Sequence, residues 1–134
     1  MRVSLLLGVT AALAALSACG APQARQDGAT TAGRAFEVAL AAGDFRTACE
    51  LLAPGSREQL VEDERKPCER ALPSQGLPRG GGVRSVDVYG RQALLRFSGE
   101  TLFLSEFDEG WRVTAAGCVP EPGDEPYDCV LKGA

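Results

Sequence analysis

The 134-residue chain contains no histidine. The commonest general base near neutral pH, and the commonest nitrogen ligand for a transition metal, are therefore missing. Its five cysteines include no Cys-x-x-Cys pair, so neither a thiol-exchange centre nor a zinc site of ordinary spacing is expected. No apolar run is long enough to span a bilayer. The run Val3–Leu16 has about fourteen apolar or small residues where roughly twenty are needed. Positive charge is scarce as well: 14 basic residues face 18 acidic ones, a formal net charge of −4. Nothing in that balance draws the chain to DNA, RNA or anionic headgroups. No metal, no cofactor and no nucleic-acid partner is expected.

What is present is most specific at the start. Met1-Arg2 forms a short positive segment, and Val3–Leu16 has the length of a signal-peptide apolar region. Leu16-Ser17-Ala18-Cys19 closes it with small side chains beside a thiol. This stretch resembles a bacterial lipoprotein leader. The resemblance implies cleavage between Ala18 and Cys19, lipid (palmitate among the acyl chains) on Cys19, and anchorage at the extracytoplasmic face of the cell membrane. Each buried CH₂ contributes about 0.8 kcal/mol, so two or three acyl chains hold a protein there almost permanently. The alternatives are an ordinary secretory leader cut elsewhere, for example after Ala18, with Cys19 incidental, or an uncleaved anchor.

Loss of residues 1–18 would leave 116 residues, room for one domain with a modest core that crosslinks would help. It would also remove Arg2 and no acid. With Cys19 lipidated, the odd cysteine count resolves into four: Cys49, Cys68, Cys118 and Cys129. An oxidising exterior favours disulfides among them. Four cysteines allow three connectivities. Cys49–Cys68 with Cys118–Cys129 keeps each bridge inside one half of the chain and is the preferred pairing. A bridge from the helices to the tail remains open.

Residues 19–31 are polar, without hydrophobic period, and read as a flexible tether of about 20 Å r.m.s. span. One α+β domain is then expected over residues 32–134, with helices at about 32–72, strands at about 83–117 and a disulfide-closed tail at 118–134. The first helix starts near Thr31 or Ala32, carries Ala35, Phe36, Ala39 and Leu40 on one stripe, and stops at Gly43. Asp44 can cap a second, Phe45–Leu52. Ser56 and Gln59 have capping-box spacing for a third, and Cys68–Leu72 adds a turn after Pro67. Glu62-Asp63-Glu64 lacks the alternating oxygen ligands and central glycine of a calcium loop and reads as a solvated face.

Leu77–Gly82 lacks the Gly-Lys-Ser/Thr ending of a phosphate loop and reads as the connector to the strands. Four alternating runs follow: Val83–Tyr89, Gln92–Ser98, Glu100–Phe107 and Trp111–Ala116. Gly90-Arg91, Ser98-Gly99 and Asp108-Glu109-Gly110 separate them, and turns that short make an antiparallel meander. One face should carry Ala93, Leu95 and Phe97, with Trp111, Val113 and Ala115 facing alike on the last strand. The third strand has large apolar residues on both faces. Its second face should line a pocket or bury itself by curling. The tail, with Pro120, Pro122 and Pro126, has too much proline for a central strand.

Helices first, then Ala-Gly-Asp-Phe-x-x-Ala-Cys-x-Leu-Leu over Ala42–Leu52, then strands ending Gly-Trp-Arg-Val at Gly110–Val113: this order resembles NTF2-like domains. It looks closest to small exported members found as lipoproteins in high-GC Gram-positive bacteria. The resemblance implies helices packed on a curved four-stranded antiparallel sheet, a cystatin-like cone. Enzymatic members place Asp, His or Tyr inside that cone, whereas the inward positions here carry Leu, Phe, Val and Trp. Asp87 and Tyr89 are the polar candidates, and a solvent-facing or edge role suits both better. No catalytic residue is assigned. The expected function is non-catalytic: a lipid-anchored envelope protein that binds a protein partner or a small apolar ligand. The alternatives are an accessory subunit of a membrane complex, or a hydrolase or isomerase using a carboxylate base such as Asp87.

Overall fold

A computed structural model describes residues 22–133. The leader, the Ala18–Cys19 cleavage site and the Cys19 lipid site lie outside the described residues. No helix among those described is long and apolar enough to cross a membrane.

The described residues form four helices followed by five strands. α1 is Pro22–Ala41, α2 Phe45–Leu51, α3 Pro54–Glu64 and α4 Cys68–Ala71, after which a 3-10 turn spans Leu72–Gln75. β1 (Val83–Tyr89), β2 (Gln92–Phe97), β3 (Thr101–Phe107), β4 (Gly110–Val119) and β5 (Asp128–Leu131) complete the chain. The sheet is open, in the order β1-β2-β3-β4-β5, and each neighbouring pair is antiparallel. Helices plus an antiparallel meander is the class the sequence leads one to expect. The sheet has five strands where four were expected.

α1 begins earlier than expected, and from residue 22 onward the tether is corrected to helix. Proline suits a first helical turn, because the N–H it lacks would have no partner there. Small residues make the contact: Ala29 is fully buried, and a Cβ on Gly28 would lie 2.9 Å from the Trp111 ring. Such a stretch shows no period of large apolar side chains, which is why it resembles a linker. Further along, Gly33, Phe36 and Ala39 are buried in the core. A Cβ on Gly33 would lie 2.2 Å from Leu95 Cδ2. Glycine thus lets the α1 backbone ride directly on β2.

α1 ends at Ala41 and the chain turns through Gly43, left-handed at φ +69°, with Asp44 N–H donating to Ala39 O at 2.9 Å. Asp44 then caps α2 as expected, accepting from Thr47 N and Thr47 Oγ1 at 3.2 and 2.6 Å. The Thr47 bonds hold its carboxyl below the usual carboxylate range. Ser56 departs from expectation. α3 starts at Pro54 without a side-chain cap, and Ser56 is buried two residues inside it. Its hydroxyl donates to Thr114 O on β4 at 2.7 Å instead of capping its own helix. With Ala53 N–H on Val113 O at 2.7 Å, it ties the start of α3 to the sheet.

The core face of the sheet carries Ala93, Leu95, Phe97, Leu102, Leu104, Trp111 and Val113. Ala115 was expected among them, but Ala116 takes that place. Phe103 pairs with Ala115 while Leu104 pairs with Val113, so a bulge on β4 shifts the alternation by one residue. β5 was read as tail. Its four residues follow Pro126 and pair only with the far end of β4, an edge position where nearby proline does no harm. Both disulfides have the local connectivity, Cys49–Cys68 between α2 and α4 and Cys118–Cys129 between paired positions of β4 and β5.

Candidate functional site

The space between sheet and helices, where a cone would hold its pocket, is filled. Phe36, Leu95, Leu102, Leu104 and Val113 are fully or almost fully buried there. A cavity of about 520 Å³ lies elsewhere, as a groove between the last turns of α1 and the segment from Leu72 to Gly81. Leu40, Phe45, Leu72, Pro73, Leu77 and Pro78 make its walls apolar, and Glu37, Arg79 and Gly80 supply polar groups. Its size and lining suit a small organic molecule. Val38, on α1 at the rim, is 68% exposed, an apolar side chain left in water beside an apolar groove.

Glu37 lines one end of this groove, and Glu100 lies one residue past Gly99, whose N–H donates to Gly80 O in the groove wall. Glu37, on α1, accepts the N–H of Gly80 at 2.8 Å through Oε2. Glu100, in the turn between β2 and β3, accepts the N–H of Gly117 through Oε2 and is 4% exposed. The two remaining oxygens, Glu37 Oε1 and Glu100 Oε1, are buried without any N–H or O–H donor. The two carboxyls are linked through the loop: Glu37 holds the N–H of Gly80, whose carbonyl accepts the N–H of Gly99, the residue before Glu100. Burial first, then the neighbouring Glu37 carboxyl, push the Glu100 carboxyl up to about 9, against the opposing pull of the Gly117 N–H. Neither free oxygen is open to the groove or to water.

Glycine makes the arrangement possible. A Cβ on Gly80 would lie 2.6 Å from Glu37 Cδ, and one on Gly99 would lie 2.2 Å from Arg79 O. The loop is stitched to the Glu100 turn by Gly99 N–H to Gly80 O at 2.8 Å and Ser98 N–H to Gly82 O at 2.9 Å. Neither glutamate stands out in the sequence. They are separated by more than sixty positions, and each looks like an ordinary surface carboxylate. The one faint signal is Glu37 lying between Phe36 and Leu40, at the border of the apolar stripe.

The polar candidates on β1 lie away from the groove. Tyr89 is 71% exposed. Asp87 is half-exposed and ion-paired to Arg96 of β2. Asp87, and next the Tyr127 hydroxyl, hold the Arg96 guanidinium above its usual range. Tyr127 also stands edge-on to Phe103, ring centroids 5.2 Å apart. The tail thus comes down through Tyr127 on the second apolar face of β3. Glu62 and Asp63 are exposed on α3, Asp63 accepting from Gln59 at 2.8 Å. Among the described residues no three His, Cys, Asp or Glu side chains converge as a metal site would need.

Compared with protein-family models, with curated proteins and with solved structures, the chain matches none.

Proposed function

We propose that this chain is a small-molecule-binding domain held at the outer face of a cell membrane by lipid on Cys19, and that the groove beside α1 takes a small, mainly apolar ligand. The groove carries this reading: about 520 Å³, walled by leucine, phenylalanine and proline, with few polar groups. The Leu16–Cys19 stretch supports the anchor, since a lipidated thiol there leaves four cysteines, matching the two disulfides. The finer fold reading is an NTF2-like cone whose interior α1 has filled, displacing the cavity to its side. Asp87, ion-paired outside the groove, gives a hydrolase reading no support.

The test uses the apolar dye N-phenyl-1-naphthylamine and the full-length chain. Saturable fluorescence enhancement is expected, several-fold weaker in Val38→Glu, which puts a charge at the rim on an already exposed position. Absent or non-saturable binding, or equal binding in the variant, overturns the ligand reading. For the anchor, Cys19→Ala should move the chain from membranes to the soluble fraction. Unchanged membrane partitioning overturns it.

A further inference from the structure

Glu37 and Glu100 join three segments at one point. Glu37 comes from α1 and Glu100 from the β2–β3 turn, while Gly80 donates from the loop that walls the groove. Each carboxyl keeps one buried oxygen without a donor, and the two residues are joined through the Gly80 and Gly99 backbone; a proton on one carboxyl, or a bound cation, would relieve both. A cation would need more oxygens than two. The second oxygen of each carboxyl is already committed to a backbone N–H, and among the described residues no third Asp, Glu, His or Cys side chain joins them.

No other charge replaces the proton. Arg34 on α1 and Arg79 in the loop are exposed, as are Asp128 and Lys132 at and beyond β5. Arg112 of β4 donates to Trp111 O. The salt bridges among the described residues are Arg46–Glu50, Arg91–Asp108 and Arg96–Asp87, none of which involves the pair.

We infer that Glu37 and Glu100 share one proton and that this proton latches the Gly80–Gly82 loop to α1 and the sheet, making one wall of the groove pH-sensitive. When the proton leaves to a solvent base, two neighbouring carboxylates are left in a buried site. Their repulsion drives Glu37 outward, and the Gly80 N–H it holds goes with it. The loop then loses its tie to α1, and the groove loses a wall. The latch deepens the binding reading because the loop it holds belongs to that groove, but its test needs no ligand, so either can fail alone.

Two measurements on the full-length chain test it. With ¹³Cδ-labelled glutamate, one carboxyl should remain protonated at pH 7 and titrate with an apparent midpoint near 9. That midpoint should disappear in both Glu100→Gln and Glu37→Gln, whose amide can donate where the shared proton did. Arg79 precedes Gly80, so trypsin reports the loop. Cleavage of Arg79–Gly80, normalised to Arg65–Lys66, should rise at least several-fold from pH 8 to pH 10 in the native chain and stay flat in Glu100→Gln. Should that variant fail to fold, the native chain still decides through both readouts. Ordinary carboxylate titrations throughout, cleavage that ignores the midpoint, or a midpoint that moves with EDTA or added calcium would each overturn the latch.

Discussion

Glu37 on α1 and Glu100 before β3 each bury one carboxyl oxygen without a donor, and each gives its second oxygen to a glycine N–H, Gly80 and Gly117. Gly117 has φ +65°, a left-handed geometry favouring glycine, and a Cβ there would lie 2.9 Å from Val130. Helix, loop, turn and sheet are therefore tied together through these two carboxyls.

That pair sets a pH dependence of stability. The Glu100 carboxyl rises from 4.5 to about 9 on folding, so between those values the folded chain holds a proton that the unfolded chain has released. Its stabilising contribution is complete below 4.5 and is lost as pH rises toward about 9. The slope is at most that of one proton, about 1.4 kcal/mol per pH unit. Urea unfolding at pH 5, 7 and 9 should show the midpoint falling in the native chain, and falling less in Glu100→Gln. A native midpoint that rises relative to the variant contradicts the shared proton.

Gly33 should not accept a side chain. Replacing an interior helical glycine by alanine ordinarily gains up to about 1 kcal/mol. Here the new Cβ would sit 2.2 Å from the Cδ2 of fully buried Leu95, and overpacking of a filled core costs about 1–3 kcal/mol. The steric cost wins, so Gly33→Ala should lower stability in urea. A stabilised variant would mean that α1 stands off the sheet.

The disulfides divide the work by location. Cys49–Cys68 spans 19 residues and Cys118–Cys129 spans 11. In the chain-entropy model each contributes about 3 kcal/mol. Cys49→Ala with Cys68→Ala should loosen α4 from α2, and Cys118→Ala with Cys129→Ala should free β5 from β4. Hydrogen exchange should locate the loosening in those elements, and non-reducing peptide mapping should recover both local pairs. A helix-to-tail peptide contradicts this framework.

Ser56→Ala removes a buried hydroxyl and leaves Thr114 O without its donor. The expected loss is about 1–3 kcal/mol in urea unfolding. A neutral substitution would mean that α3 is not tied to β4 there.

Much of this architecture can be read from local chemistry. Gly43-Asp44 marks a helix stop and a cap because both act through their own backbone neighbourhood. β1 to β4 show because period-two alternation is broken by turn residues, and the local cysteine pairs follow from the two halves of the chain. Non-local contacts are the ones that stay hidden. The first ten residues of α1 are helical through Gly28 against Trp111 and buried Ala29, contacts that a polar, small-residue stretch does not advertise. The Ala115–Ala116 exchange depends on a bulge, and Ser56 leaves its expected cap for a strand 58 positions away. The Glu37–Glu100 pair exists only once α1 lies on the sheet and the loop closes over both.

The central claim, that the groove between α1 and the Leu72–Gly81 segment binds an apolar ligand, is tested most directly by mapping where a probe sits. N-phenyl-1-naphthylamine titrated into the ¹⁵N-labelled full-length chain should shift amide resonances of Val38, Leu40, Phe45 and Leu77 together, along one saturation curve. Shifts gathered instead at Leu94 and Phe103 on the opposite face of the sheet, or no saturable shifts at all, would contradict it.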